Sequence, residues 1–123
     1  MNTKRKGSLA IGAAINYFSS RGITVLLPIA DCDLYDLVID DGRLRKIQCK
    51  YTDHQQPNGG YNVDLRTFGG YREKTYHTKY KNGDFDFLFI YCGNGQKYLM
   101  PTQEIIKKTH IVVGSRSWNE YKC

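Results

Sequence analysis

The feature that most constrains the fold of this chain is a pair of apolar segments joined by a tight acidic turn. Residues 35–39 read Tyr-Asp-Leu-Val-Ile, residues 40–42 are Asp-Asp-Gly, and residues 43–52 alternate between apolar and polar side chains. Alternation at every second position is typical of a half-buried strand, and a glycine that closes a short turn is typical of a hairpin. The segment therefore predicts an antiparallel β-hairpin within a larger sheet.

The length of the turn decides which side chains share a face of this hairpin. A two-residue turn at 41–42 would place position 36 opposite position 47, with Asp36 facing away from Gln48. A three-residue turn at 40–42 would place position 38 opposite 44 and position 36 opposite 46. We predict the three-residue turn, which puts the following polar side chains on one face: Asp36, Lys46, Gln48 and Lys50. An amide and an ammonium on an apolar strand are costly to bury alone, and Asp36 is the expected partner.

The rest of the chain predicts a mixture of helices and short strands without internal repeats. We predict helices at 3–20, with Thr3 as N-cap, and at 101–108, and strands at 23–29, 35–39, 43–52, 61–68, 85–92, 96–100 and 111–113. Residues 69–84 are polar, basic and rich in tyrosine, and they show no clear period. The fold class is therefore α+β (mixed α/β), with a central mixed sheet flanked by helices in a single domain over residues 1–123.

The positive charge of the chain is concentrated in its middle third. Residues 1–42 carry a net charge of −1, residues 43–81 carry +6 and residues 82–123 carry +1. Five tyrosines lie in or beside the basic segment, and basic residues mixed with aromatic ones indicate a polyanionic partner such as nucleic acid. A solvated basic loop that keeps the protein in solution is the alternative explanation.

Several classes of protein are excluded by the same sequence. No apolar run approaches the roughly 20 residues that cross a bilayer, so we expect no membrane partner. The four cysteines and three histidines do not match a zinc-binding spacing, and Cys49 and Cys92 lie in apolar strands as predicted reduced core residues. We therefore expect an intracellular, soluble protein.

The predicted hairpin carries a recognisable set of residues. Asp36 followed by Gln48-x-Lys50 resembles the PD-(D/E)XK nuclease motif, in the variant whose second acid is glutamine. The chain also resembles the intron-associated homing-endonuclease branch of this superfamily in an ordered set of segments: 7–15, 21–28, 35–38, 48–50, 61–70 and 117–121. The resemblance covers nearly the whole chain and implies a single restriction-endonuclease-like domain.

The resemblance implies metal-dependent hydrolysis of DNA phosphodiester bonds, with Asp36, Gln48 and Lys50 as catalytic residues. Asp36, the Gln48 side-chain carbonyl and the Cys49 backbone carbonyl would bind Mg²⁺, for which Mn²⁺ would substitute, since hard cations prefer oxygen ligands. Lys50 would orient the attacking water and stabilise charge on the phosphate. The resemblance further implies a homodimer or homotetramer, encoded by a bacterium or phage and located in the cytoplasm.

One position departs from the pattern of the family. Many relatives carry a glutamate on the first helix, where this chain has Ile11, and no acid occurs between Met1 and Ala30. We therefore expect a single metal ion, recruitment of Asp31 or Asp33, or a weak or inactive nuclease.

The charge map and the resemblance together predict a DNA-binding surface in three parts of the chain. Most of these residues are expected to contact phosphates, and the loop at 69–84 is the candidate for reading a groove. The predicted DNA-binding residues are Lys4, Arg5, Lys6, Ser8, Lys46, Thr52, Arg66, Thr67, Gly69, Gly70, Arg72, Lys74, Lys79 and Lys81.

Three other functions remain open at this stage. A Holliday-junction resolvase resembles the same hairpin and would bind branched rather than linear double-stranded DNA, but such relatives usually keep the helix glutamate. A non-catalytic nucleic-acid-binding module on a degenerate nuclease fold would account for Ile11 and Gln48. A small protein–protein adaptor would bind its partner without strong dependence on salt.

Overall fold

A computed structural model of the chain describes residues 1–30, 34–71 and 74–123, with the backbone alone at 67–71 and 74–77. Within these ranges lie one α-helix, two short 3₁₀ turns at Thr102–Glu104 and Asn119–Tyr121, and a set of short strands. The helix is α1 (Thr3–Ser19), and the strands are β1 (Thr24–Leu26), β2 (Leu37–Asp40), β3 (Leu44–Thr52), β4 (Tyr61–Asp64), β5 (Arg66–Tyr71), β6 (Lys74–Lys79), β7 (Phe87–Cys92), β8 (Lys97–Pro101) and β9 (His110–Val113).

Helix α1 forms where the apolar spacing predicts it, and its N-cap lies one residue before the predicted one. Asn2 is the N-cap instead of Thr3, and its Oδ1 accepts the backbone N–H of Arg5 at 2.9 Å. The side chains at positions 10, 14 and 18 are buried, and a spacing of four residues places them on one face of the helix. This face packs on the central sheet.

The central sheet has the strand order β1-β2-β3-β7-β8. Strands β3 and β7 run parallel, and the other neighbouring pairs run antiparallel, so the sheet is mixed. Helix α1 covers one face, where Phe18 contacts the fully buried Phe89 of β7 with ring centroids 6.1 Å apart. The α+β fold class with a central mixed sheet is therefore confirmed.

A second group of buried residues lies on the side of the sheet away from α1. Strand β4 pairs antiparallel with β9, and Val63 and Ile111 face each other in this pair. Their side chains are buried together with Leu88 and Ile90 of β7. Because β7 has buried side chains on both faces, it reads in the sequence as a continuous apolar run.

The predicted strand at 61–68 is interrupted, and the predicted loop at 69–84 is partly a strand. The ladder between β4 and β9 ends at Asp64, where the backbone N–H of Leu65 donates to the carbonyl of Thr109 and that of Arg66 donates to the Asp64 carboxylate. The chain then forms an antiparallel ribbon of β5 and β6. The sequence hides this ribbon because polar residues occupy successive positions, so no alternation is visible.

The predicted helix at 101–108 was wrong. Pro101 ends β8, and only one 3₁₀ turn follows it. Thr102 is buried and its hydroxyl donates to the carbonyl of Phe85, while Ile105 is buried in the core beyond. A segment this short has little intrinsic helix stability, so these tertiary contacts determine its conformation.

The cysteine prediction and the membrane prediction can be compared directly with the described part of the chain. Cys49 and Cys92 are buried free thiols, as expected. No helix within the described ranges is long and apolar enough to cross a bilayer.

Candidate active site

The β2–β3 hairpin has a three-residue turn, but this turn lies one residue later than the sequence predicts. Asp40 pairs with Leu44, and Gly42 within the turn has a positive φ of 105°. Val38 lies opposite Lys46, so the expected register was wrong by two residues. Strand side chains alternate with a period of two, and a shift of two residues therefore leaves every side chain on its expected face.

Asp36 comes directly before β2, and its carboxylate is held against β3. Its backbone N–H donates to the carbonyl of Ile47 at 2.8 Å, and its Oδ2 accepts the backbone N–H of Cys49 at 2.8 Å. Because Leu37 pairs with Ile47, Asp36 lies beside Gln48 rather than opposite position 46. Two backbone contacts thus fix where this half-buried carboxylate points.

Gln48 and Cys49 place two oxygen-bearing groups next to each other on β3. The side chain of Cys49 is buried under α1, whereas the side chain of Gln48 is half-buried on the other face of the strand. The Gln48 Nε2 donates to the backbone carbonyl of Cys49 at 3.3 Å. The amide and the carbonyl that were predicted as metal ligands are therefore neighbours in space.

Lys50 is half-buried on the same face of β3 as Gln48. Its Nζ donates to the backbone carbonyl of Arg66 at 3.3 Å and lies 5.3 Å from the centroid of the Tyr80 ring. Burial lowers the pKa of the Lys50 ammonium below its ordinary value, and the carboxylates of Asp64 and Asp36 partly offset this effect. The ammonium therefore lies in the field of two carboxylates.

Asp64 is a residue of the site to which the sequence analysis assigned no role. It ends β4 and forms an ion pair with Arg66, whose Nη2 lies 2.9 Å from its Oδ2. Burial alone would raise the pKa of the Asp64 carboxyl, but hydrogen bonds from Arg66 hold it below its ordinary value. The only local signal is its alternation with the buried Val63 and Leu65, which many surface strands share.

The predicted catalytic residues line one cleft of about 370 Å³. Its walls come from the N-terminal half of α1, from β3 and from the end of β4, and they include Asp36, Gln48, Lys50 and Asp64. The structure thus brings together a carboxylate, an amide and an ammonium that the sequence analysis placed on one face. Their catalytic roles remain a prediction.

Position 11 also lies in this cleft. Ile11 contributes an apolar side chain at the position where the family resemblance led us to look for a carboxylate, and it lines the cleft together with Asp36. The alternative acids Asp31 and Asp33 lie outside the described residues. Ile11 is half-buried and packs against the core beneath α1, so its side chain has a structural role there.

The residues of the cleft fit a hard divalent cation, although few of the candidate ligands are charged. Across the described ranges, no three His, Cys, Asp or Glu side chains come together as a metal-binding group. The Asp36 carboxylate, the Gln48 amide and the Cys49 carbonyl nevertheless offer three kinds of oxygen, which Mg²⁺ prefers to nitrogen or sulfur. Such a donor set is suited to a weakly bound ion that keeps several waters and gains a further ligand from substrate phosphate.

The predicted DNA contacts on α1 are in its first turns. Lys4, Arg5 and Ser8 are exposed, and the Ser8 hydroxyl donates to the carbonyl of Lys4 at 3.1 Å. Lys6 lines the cleft, and its Nζ lies 3.3 Å from Oδ1 of Asp53. Both partners of this ion pair are substantially exposed, so competition from a phosphate would cost little.

Three other residues that were predicted to contact DNA form hydrogen bonds or an ion pair within the protein. The Lys46 ammonium donates to the carbonyl of Gly83 at 2.7 Å. Thr52 is buried, and its hydroxyl donates to the carbonyl of Asn62. Arg66 binds Asp64 through its guanidinium. Thr52 is only 5% exposed, and we leave it out of the proposed interface.

The remaining predicted DNA contacts lie on or beside the β5–β6 ribbon. Lys79 ends β6 with an exposed side chain, and Lys81 is exposed just beyond it. The backbone places Thr67, Gly69 and Gly70 on β5 and Lys74 on β6. Arg72 lies outside the described residues. Within the described residues, the predicted groove-reading segment at 69–84 therefore includes paired strand residues of β5 and β6.

Comparison with known proteins shows similarity over nearly the whole chain. The family model described as PD-(D/E)XK endonuclease matches residues 1–121. The solved structure of a bacterial homing endonuclease, I-Ssp6803I, aligns with a TM-score of 0.85 and 30% sequence identity, over 99% of this chain and 89% of that chain. No curated protein sequence matches. The structural similarity covers every described element that lines the cleft.

Proposed function

Because this chain belongs to the PD-(D/E)XK endonuclease family, we propose that it is a nuclease of the homing type that cuts DNA with a bound divalent metal. The observation that carries the proposal is the convergence of Asp36, Gln48 and Lys50 on one cleft. The proposal treats residues 1–123 as one domain. A DNA substrate in a bacterial or phage-infected cell further favours a cytoplasmic location.

In the proposed mechanism, each residue has a role that follows from its position. Asp36 and the carbonyl oxygens of Gln48 and Cys49 would hold Mg²⁺, or Mn²⁺ in its place. When bound, the ion would supply a Lewis acid for the phosphate and an activated water. Lys50, whose ammonium lies on the same face of β3, would orient the attacking water and balance negative charge on the phosphate.

Metal dependence is the first test of this proposal. We expect the purified protein to nick supercoiled plasmid carrying its target in the presence of Mg²⁺ or Mn²⁺, because the oxygen donors of the cleft suit a divalent cation that would act as a Lewis acid on the phosphate. Excess EDTA should abolish the cleavage, and renewed Mg²⁺ should restore it. Agarose gel electrophoresis measures the products. Cleavage that continues unchanged in EDTA would contradict the metal-based mechanism.

The non-catalytic alternative keeps one observation in its favour, which is the apolar Ile11 in the cleft. If this protein only binds nucleic acid, no DNA should be cut under any metal condition, whereas a gel-shift assay should still detect binding. The same plasmid experiment therefore distinguishes the two functions when binding is measured in parallel.

The β5–β6 ribbon is the element that we propose to enter a DNA groove. A two-stranded antiparallel ribbon has dimensions that the major groove admits. The exposed Lys79 and Lys81 lie where β6 returns to the core, and their charges would contact phosphates at the edge of the groove. The basic middle third of the sequence supplies this ribbon and the adjoining strand β3.

The contribution of this ribbon can be measured from the salt dependence of DNA binding. The slope of log K for DNA binding against log salt concentration is negative. We expect the double variant Lys79→Ala/Lys81→Ala to reduce the magnitude of this slope by about 2, since each phosphate contact releases nearly one counterion. Fluorescence anisotropy between 50 and 200 mM salt, at 1 mM EDTA to prevent cleavage, provides the slopes. Lys122→Ala, an exposed lysine beside the edge strand β8, is the control. Equal slopes for wild type and the double variant would exclude these two lysines from the interface.

A homodimer or homotetramer follows from the geometry of the reaction. One cleft of this size acts on one strand, so two copies related by symmetry would be needed to cut both strands of a duplex. We therefore propose an assembly of two or four chains.

A further inference from the structure

The cleft contains a second carboxylate that comes from a different strand than Asp36. Asp64 ends β4, which is not part of the β2–β3 hairpin, and it lines the same cleft. Helix α1 contributes the apolar Ile11 to the lining of this cleft. The cleft therefore contains two carboxylates, and neither of them comes from helix α1.

Lys50 interacts electrostatically with both of these carboxylates through its ammonium. Its ammonium bonds to the carbonyl of Arg66, two residues beyond Asp64, while its own strand is bonded to Asp36 through the N–H of Cys49. Electrostatics agree with this placement, because the pKa of the Lys50 ammonium is raised by Asp64 and Asp36 in opposition to burial. The lining of the cleft thus carries two carboxylates, Asp36 and Asp64, with the Lys50 ammonium in the field of both. The cleft also contains a second ammonium, that of Lys6.

The Asp64 carboxylate is held in a fixed orientation but stays accessible. Arg66 donates to it three times, from the backbone N–H to Oδ1 at 2.9 Å, from Nε to Oδ1 at 3.2 Å and from Nη2 to Oδ2 at 2.9 Å. A carboxylate offers about four acceptor positions, so three donors still leave capacity for a cation. The Asp64 side chain is 34% exposed, which allows an ion to reach it.

We propose that Asp64 supplies the second carboxylate of the metal centre, in place of an acid at position 11. This inference rests on the proposed function and adds a ligand to it. With Asp36 alone, the centre would have one anionic ligand and two neutral ones. Asp64 adds a second anionic oxygen, which hard Mg²⁺ favours, and Arg66 keeps that oxygen oriented before the ion arrives.

The test is a titration with Mn²⁺ alone, without DNA, monitored by isothermal calorimetry. We compare wild type with Asp36→Asn, Asp64→Asn and Asp41→Asn. Asp41 is the matched control, because it forms an ion pair with Arg45 at 3.1 Å outside the cleft. Asparagine retains the Oδ1 that accepts the N–H of Arg66, so the local backbone contact is preserved.

We expect Asp64→Asn to weaken Mn²⁺ binding by at least about tenfold, the lower end of what is lost when a group supporting a metal centre is removed. Asp41→Asn should bind as wild type does. Adding Ile11→Glu to Asp64→Asn should restore most of the affinity, because it returns a carboxylate to the same cleft.

The outcomes separate this inference from the proposed function. If Asp36→Asn loses Mn²⁺ binding and Asp64→Asn binds like Asp41→Asn, the role of Asp64 is overturned and the metal-dependent nuclease stands. If Asp36→Asn also binds like wild type, the proposed metal centre itself fails. The upward shift of the unfolding temperature that Mn²⁺ produces is measured for each variant against its own metal-free form, which removes any difference in stability.

Discussion

DNA cleavage by the Asp36→Asn variant is expected to fall by at least about 100-fold, since a bound metal supplies several kcal/mol of transition-state stabilisation. The reason lies in the position of this carboxylate, which the N–H of Cys49 holds beside Gln48 at the floor of the cleft. Asparagine keeps the shape and one oxygen but removes the negative charge that attracts the cation. Single-turnover cleavage of plasmid at saturating protein measures the rate.

DNA binding should survive this substitution, because removing a negative charge from a DNA-facing cleft does not weaken the attraction for phosphate. Binding is measured by anisotropy in EDTA, so that the metal plays no part. Asp41→Asn, in the exposed hairpin turn, controls for the loss of one carboxylate elsewhere on the same hairpin. An Asp36→Asn enzyme that cleaves at the wild-type rate would contradict the assignment of the cleft as the active site.

The second large effect concerns stability and the packing of α1. Replacing Phe89 with alanine is expected to reduce the free energy of unfolding by about 3–5 kcal/mol. Phe89 is fully buried, and its ring centroid lies 5.7 Å from that of Tyr17 and 6.1 Å from that of Phe18. The substitution leaves a cavity between helix and sheet. Equilibrium unfolding in urea, followed by circular dichroism, gives the change.

Phe87 provides the matched control for this effect. It is two residues earlier on β7, on the same face as Phe89, but it is only partly buried and lies near the Arg45 side chain. Phe87→Ala should therefore lower the free energy of unfolding clearly less than Phe89→Ala does. The dependence of this free energy on urea concentration should be unchanged in both variants. An equal loss of unfolding free energy from both substitutions would contradict the larger contribution to helix–sheet packing that we assign to Phe89.

Much of the candidate site follows from local sequence alone. The alternation of residues in β3 puts Gln48 and Lys50 on one face, and a three-residue turn puts Asp36 on the same face. This result was insensitive to the two-residue error in the predicted register, because parity, not exact pairing, decides the face of a strand side chain. Local periodicity is thus sufficient for the core of the motif.

Contacts between distant parts of the chain decided the rest. The sequence could not reveal that the Lys46 ammonium binds the carbonyl of Gly83, or that Thr52 is buried against β4. Nor could it place Asp64 in the cleft, since that requires β4 to leave the β9 ladder where it does. In these cases the side chain's environment is formed by residues far away in sequence, and no local pattern encodes them.

The sequence by itself determined the central hairpin, the helix and the family of the fold, because strand alternation and helical spacing depend on near neighbours. The tertiary structure alone decided the parallel pairing of β3 with β7, the ribbon of β5 and β6, and the second acid of the cleft. Pairings of this kind depend on which apolar surfaces meet when the chain folds, and many alternative partners satisfy the same local pattern.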